Sequence, residues 1–136
     1  IFVFCALLMK LLPPVLQFPS SLWLVIVFGG MGCAIGAASV LQFLLAKTTL
    51  NPFQLETASQ LVTGGIYRLS RNPMYLSLVF ILLAWMVYLG SLSALFGVGL
   101  FIWYVTKFQI KPEEEGLKHL FGASFTAYCQ RTRRWL

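Results

Sequence analysis

The chain is short, strongly apolar and poor in charge. It has 136 residues, of which 59% are hydrophobic and 10% are charged. An average soluble domain is about 45–50% apolar and about 25% charged. This composition excludes an ordinary water-soluble domain, and it excludes a disordered chain, which needs low hydrophobicity and high charge. We therefore predict one all-α integral membrane domain, residues 1–136, with about four transmembrane helices.

The first third of the chain, residues 1–46, predicts transmembrane helices 1 and 2. Residues 1–12 are apolar apart from Lys10, and Pro13-Pro14 ends or bends the helix. We interpret this stretch as part of a membrane helix, because it lacks the small-residue cleavage site of a signal peptide. The span is short, and a first residue other than Met leaves open that the natural chain begins earlier.

Residues 22–46 carry no charge and are long enough to cross a bilayer. Small side chains form one face of this helix, which allows another helix to approach closely in lipid. They are Gly29, Gly30, Gly32, Gly36, Ala37 and Ala38. This face can pack within one chain or against a second copy, so a homo-oligomer through helix 2 is a candidate arrangement.

The remainder divides into a polar segment, a hairpin and a tail. Residues 47–71 are polar and predict a cytoplasmic surface segment, whereas residues 72–106 contain no charge. Because one helix of that length would overrun the bilayer core, the turn at residues 89–93 divides it. We predict a helical hairpin over 72–108, with spans near 72–89 and 92–108, and an amphipathic cytoplasmic tail over 109–136.

Basic residues gather on one side of this topology. Nine of the ten Lys and Arg residues follow the second and fourth spans: Lys47, Arg68, Arg71, Lys107, Lys111, Lys118, Arg131, Arg133 and Arg134. The positive-inside rule assigns that side to the cytoplasm. The net charge of +6 is thus explained by topology, and we expect no nucleic-acid partner. We also expect no metal site, because His119 is the only histidine and the three cysteines lack ligand spacing.

The first polar cluster is TGGIYRLSRNPMY, residues 63–75. Gly64-Gly65 permits a tight turn or a close approach to a ligand. Pro73 suits the first turn of a helix, and Arg71 lies just before that helix N-terminus, which attracts anions. The alternative is an ordinary juxtamembrane arginine loop with interfacial tyrosines.

The second polar cluster, residues 112–122, opens with Pro112 and three glutamates. Glu113, Leu117 and Phe121 share one helical face. One interpretation is a capped surface helix; the other is a carboxylate turned inward to bind a cation. Together the two clusters offer cations and anions at one membrane boundary, which suits a zwitterionic, positively charged cofactor.

The strings TGGIYRLSRNPMY and PEEEGLKHLFGASFTAYCQRTRRWL resemble the isoprenylcysteine carboxyl methyltransferase family, which is related to the membrane phospholipid N-methyltransferases. The resemblance covers residues 48–136. It implies a methyltransferase that binds S-adenosylmethionine (SAM) between the hairpin ends and the tail. Cofactor contacts are implied at Ser59, Gln60, Leu61, Val62, Tyr67, Asn72, Pro73, Met74, Tyr75 and Glu113. Arg71 and Glu114 belong to the same motifs, and we expect catalytic roles for them.

Four positions depart from that family. Asn72 and Ser59 stand where the family has histidine, and Phe125 replaces a tyrosine. Gln109 occupies the position of an arginine that binds the substrate carboxylate in the prenylcysteine enzymes. A neutral amide holds a carboxylate far less strongly than a guanidinium fork, which counts against a prenylcysteine substrate.

The expected function is methyl transfer to a small or lipophilic acceptor that enters from the bilayer between spans three and four. Because a sulfonium donor is already activated, the protein mainly positions and desolvates the reactants. Within this chemistry, a phospholipid amine N-methyltransferase is the alternative. A non-enzymatic scaffold or transporter is the alternative of another class, although spans two to four lack the mid-membrane ionisable residues typical of transporters.

Overall fold

The computed structural model describes residues 1–46 and 61–136, and both stretches are helical without a β-strand. The helices are α1 (Phe2–Leu11), α2 (Leu22–Leu45), α3 (Pro73–Leu89), α4 (Leu95–Val105) and α5 (Lys111–Arg131). Short 3-10 turns occupy Gly65–Arg68 and Leu92–Ala94, and a π-helical turn occupies Thr106–Ile110. The predicted all-helical class is confirmed. Most of the predicted surface segment, residues 47–60, lies outside the described residues.

Local chemistry explains where these helices end. α1 stops at Leu11, just before Pro13-Pro14, and Pro73 lies in the first turn of α3. Gly90 ends α3 with a left-handed φ of 62°, and a Cβ there would lie 2.7 Å from the carbonyl oxygen of Phe18. Ser21 occupies the N-cap position of α2, but its side chain makes no capping hydrogen bond.

α4 continues into α5 without a break. The Lys111 amide donates to the Thr106 carbonyl, five residues earlier. Pro112 accounts for the widened turn, because it has no N–H and its ring crowds the preceding turn of a regular helix. Helical backbone thus continues from Leu92 through the π turn to Gly122, whose φ of 48° kinks α5 before the helix resumes and ends at Arg131. The predicted start at Pro112 is thus a turn inside a longer helix, and the tail directly extends α4.

α2 and α3 pack antiparallel through the small residues of α2. A Cβ at Gly32 would lie 2.8 Å from Ile81 Cγ1 and 2.9 Å from the Ser77 carbonyl oxygen. A Cβ at Gly36 would lie 3.3 Å from the Ser77 hydroxyl. This part of the small-residue face is therefore occupied within the chain, while the homo-oligomer through helix 2 stays a prediction.

α1 packs against the hairpin of α3 and α4. The Trp85 indole N–H donates to the Ala6 carbonyl at 3.0 Å, and Phe2 meets Phe101 edge to face at 6.0 Å. Leu82, Phe101, Val105 and Ile110 are almost completely buried in this core. The core thereby fixes the hairpin on which the polar clusters lie.

Two of the described helices are long and apolar enough to cross a membrane. They are Leu22–Leu45, with a mean hydropathy of 2.2, and Leu92–Arg131, with 1.3 over its most apolar stretch. α1 and α3 are apolar but shorter. Large side chains such as Trp23 and Leu45 point outward, which in water would be an unusually apolar surface and in a bilayer is an ordinary one.

Candidate active site

The loop before α3 is shaped by Gly65 and anchored by Tyr67. Gly65 has a left-handed φ of 55°, and a Cβ there would collide with the Gln42 side chain at the end of α2. The following 3-10 turn directs Tyr67 inward, where its ring meets Phe43 edge to face at 5.4 Å. Burial, above all, raises the pKa of the Tyr67 hydroxyl, so this side chain is a neutral anchor.

Helix α5 contributes further contacts to Tyr67. The Tyr128 hydroxyl donates to the Tyr67 carbonyl at 2.6 Å. Tyr67, Phe125 and Tyr128 form a buried cluster, against which Leu61 and Val62 pack. The loop before α3 and the end of α5 are therefore joined by a hydrogen bond and by apolar contact.

A C-terminal strap, which we define as residues 132–135, is hydrogen-bonded to the same loop. The Arg71 amide donates to the Arg133 carbonyl at 3.0 Å. The Arg134 carbonyl accepts from Asn72 Nδ2 at 3.0 Å and from the Ser70 hydroxyl at 3.3 Å. Residues more than 60 positions apart in the chain are thus held in register.

Glu114 lies between two guanidinium groups. Its Oε1 accepts from Arg71 Nη2 at 2.9 Å and from Arg134 Nε at 3.1 Å, and its Oε2 accepts from Arg134 Nη2 at 2.6 Å. The Arg71 and Glu114 side chains are largely buried, with 12% and 16% of their surfaces exposed. Hydrogen bonding to Glu114 raises the pKa of Arg134. The cluster of two cations and one anion keeps a net positive charge.

Arg71 is also fixed from a second direction. Its Nη1 donates to the Cys129 carbonyl at 3.3 Å. Its Nε is buried without a hydrogen-bond partner among residues 1–46 and 61–136. Buried donors are normally satisfied, so this N–H lacks, among the described residues, the acceptor that such a group usually has.

Glu113 pairs with a tyrosine and not with an arginine. The Tyr75 hydroxyl donates to Glu113 Oε1 at 2.6 Å. Glu113 lies on the charged part of the long helix, past its apolar stretch, and burial raises the pKa of its carboxyl while the Tyr75 bond opposes that rise. It lies with Leu117 and Phe121 on the partly buried face of α5, the face that their spacing predicts they share, while Glu115 is exposed.

The structure brings most of the predicted site residues to one end of the hairpin. The contacts described above involve six of them, and Leu61 and Val62 pack beside this group. The six are Tyr67, Arg71, Asn72, Tyr75, Glu113 and Glu114. Pro73 is buried and Met74 is partly exposed in the first turn of α3. Gln109 is half-buried in the π turn, one helical turn before Glu113. Ser59 and Gln60 lie outside the described residues.

Sequence reasoning missed four participants: Ser70, Tyr128, Arg134 and Trp135. Ser70 and Arg134 link the loop to the strap, and the Trp135 indole N–H donates to the Thr106 hydroxyl at 3.3 Å. Arg134 belongs to a basic run with Arg131 and Arg133, so nothing local distinguishes it. The available signal was the tail motif itself, which continues to the end of the sequence.

Among known proteins, the family model described as phospholipid methyltransferase matches residues 20–124. A Haemophilus influenzae protein described as "Uncharacterized protein" is 49% identical over 63 residues, which is 46% of this chain and the whole of that protein. No solved structure gives a significant match. The family match contains the loop before α3, the hairpin and the glutamates of α5. The chain therefore belongs to the phospholipid methyltransferase family, whose members are membrane methyltransferases.

Proposed function

We propose that the protein is an integral membrane methyltransferase that uses SAM and methylates a small or lipophilic acceptor. The observation that carries the proposal is the convergence of the two motifs. Tyr75 and Arg71, at the start of α3, bind Glu113 and Glu114, 38 and 43 residues further along the chain. Family membership supports the class of reaction.

The polar groups at this end of the hairpin fit a zwitterionic cofactor. SAM carries a carboxylate, an ammonium and a sulfonium. Arg71, whose buried Nε has no partner among the described residues, and the amides of the first α3 turn would hold the carboxylate. Glu113 would hold the ammonium or the ribose, because its bond to Tyr75 engages only Oε1. Tyr67 and Tyr75 would border the adenine or sulfonium region.

When bound, SAM supplies a methyl group that is already activated for displacement. The contribution of the chain is to orient the reactants and to exclude water. Arginines bind both carboxylate oxygens of Glu114, so we propose that the role of Glu114 is to hold Arg71 in position. Glu113, whose pKa burial raises, is the carboxylate suited to accept a proton if the acceptor is an amine.

For the membrane arrangement we propose four spans, formed by α1, α2, α3 and the helix that begins at Leu92. The positive-inside rule then places the site at the cytoplasmic face. The acceptor would enter from the bilayer between α3 and α4. Gln109, in the π turn, would face it as a neutral hydrogen-bonding group.

Two acceptor classes compete within this proposal. An isoprenylcysteine-like acceptor presents a carboxylate, for which Gln109 is a weak partner. A phospholipid amine agrees with the description of the matching family at least as well. We therefore keep the phospholipid amine as a second candidate acceptor beside the isoprenylcysteine-like carboxylate.

The test is incubation of solubilised protein with radiolabelled SAM and a membrane extract. We expect label in extractable lipid headgroups for an amine lipid, or base-labile label in prenylated thiols for a carboxylate acceptor. The combined Arg71→Ala and Glu113→Ala variant should lose SAM binding, whereas Glu115→Ala, on the exposed side of α5, should keep it. Retained tight binding in the combined variant would contradict the site assignment.

A further inference from the structure

The C-terminal strap lies beyond the stretch matched by the family model, which ends at residue 124. It nevertheless contacts the loop before α3, the π turn and the start of α5. Its backbone binds Ser70, Arg71 and Asn72, and Trp135 binds Thr106 in the π turn that contains Gln109. Arg134 is the member whose side chain enters the ion-pair cluster.

The geometry at Glu114 shows a competition for this carboxylate. Arg134 occupies it with two donors, at 3.1 and 2.6 Å, while Arg71 uses one donor at 2.9 Å. A carboxylate binds a guanidinium best through two parallel bonds. Without Arg134, both oxygens of Glu114 would be available to Arg71, and a largely buried carboxylate would be balanced by Arg71 alone.

We infer that Arg134 is a positioning residue for the cofactor site: it neutralises Glu114 and thereby leaves Arg71 available to an anionic group of the ligand. This inference rests on the proposed function, since the ligand in question is SAM and its carboxylate. The net positive charge of the cluster depends on both arginines. Removal of Arg134 makes the cluster neutral and turns Arg71 toward Glu114.

The experiment measures the SAM dissociation constant of the full-length protein in detergent by calorimetry. Arg134→Ala should weaken binding by about 10- to 100-fold, the range expected when hydrogen bonds to a charged group are lost. Arg134→Lys keeps the charge but not the fork, so its affinity should fall between those of the unaltered protein and Arg134→Ala. Arg131→Ala, an exposed arginine of the same tail, should bind like the unaltered protein.

A second substitution separates positioning from a merely structural role. Adding Glu114→Gln to Arg134→Ala removes the charge that captures Arg71, so the double variant should bind SAM more tightly than Arg134→Ala. If Arg134 only stabilised the fold, the double variant would bind no better. Thermal unfolding of each variant identifies loss of folding, and in that case Arg134→Lys and its double variant decide the question in the same way.

The outcomes distinguish the two proposals. If the unaltered protein does not bind SAM, the proposed function fails and the inference fails with it. If the unaltered protein binds SAM and Arg134→Ala binds equally well, the inference alone is overturned. If Arg134→Ala weakens binding and Glu114→Gln does not restore it, positioning through Arg71 is overturned and a structural role remains.

Discussion

The adjacent residues Glu113 and Glu114 of α5 have different surroundings. Glu113 meets a tyrosine hydroxyl, and Glu114 meets two arginines. A carboxylate paired with guanidinium groups is committed to them, whereas one with a single neutral donor keeps capacity for a cation. In the proposed site, Glu113 would bind a cation while its neighbour Glu114 positions Arg71.

This difference predicts a pH dependence of SAM binding. Glu113 can hold a cation only when deprotonated, and burial raises its pKa, so affinity should fall as the pH is lowered through that raised pKa. Tyr75→Phe removes the bond that opposes the rise, and the loss of affinity should then begin at higher pH. Calorimetric titrations between about pH 8 and about pH 5 measure the effect.

Glu113→Gln is the decisive control for that titration. It should bind more weakly and show no acid dependence of this origin, because an amide does not titrate. Glu115→Gln should retain the original pH profile, since that side chain is exposed. An unchanged acid dependence in Glu113→Gln would assign the titration to another group.

At the scale of the elements, the packing of α2 on α3 depends on which glycine faces which neighbour. Sequence showed a stripe of small residues but not its partner, because any closely approaching helix satisfies the same pattern. The structure separates the glycines: Gly32 lies against Ser77 and Ile81, whereas a Cβ at Gly30 would meet nothing within 4 Å.

We therefore predict that Gly32→Ala destabilises the protein by about 1–3 kcal/mol, because the new methyl group would press on the α3 backbone as well as on Ile81. Gly30→Ala is the matched control and should leave stability unchanged or slightly raised, since alanine favours a helix. Thermal unfolding in one detergent compares them. Equal unfolding temperatures for the two variants would contradict this packing.

The limits of sequence prediction are clearest at the junction of α4 and α5. Pro112 and the glutamates after it are typical of a helix start, so this local pattern predicts that a new helix begins at Pro112. Pro112 is instead accommodated by a π turn, because the apolar residues before it continue a helix already fixed by the core at Val105 and Ile110. Tertiary packing, which a short stretch of sequence does not reveal, favours the continuous helix over a new helix start at Pro112.

The sequence identified the two motifs that meet in the structure but did not identify Arg134. Arg71 and Glu113 stood in distinctive strings, and the structure joins those strings. Arg134 stood among other tail arginines, and only a fold that returns the strap to the loop before α3 distinguishes it. Contacts across more than 60 residues are set by the whole chain and not by local spacing.

For the whole molecule, the proposed topology places the connection between α1 and α2 and the tail on opposite sides of the membrane. In a background whose three cysteines are replaced by alanine, Ser20→Cys in intact cells should react with a membrane-impermeant thiol reagent. Ser124→Cys should react only after the membrane is opened. Both serines are exposed, so accessibility within the protein does not bias the comparison. The reverse labelling pattern would contradict the cytoplasmic assignment.

The helix that begins at Leu92 continues through the π turn as far as Gly122, so its apolar stretch and the charged start of α5 belong to a single rod. Gln109 and Glu113 sit on it about 6 Å apart along the axis, at about 1.5 Å per residue. A thicker or thinner lipid layer tilts such a rod as a whole and leaves distances along it unchanged. If Gln109 contacts the acceptor and Glu113 the cofactor, as proposed, membranes of different thickness would present the two reactants in the same relative alignment.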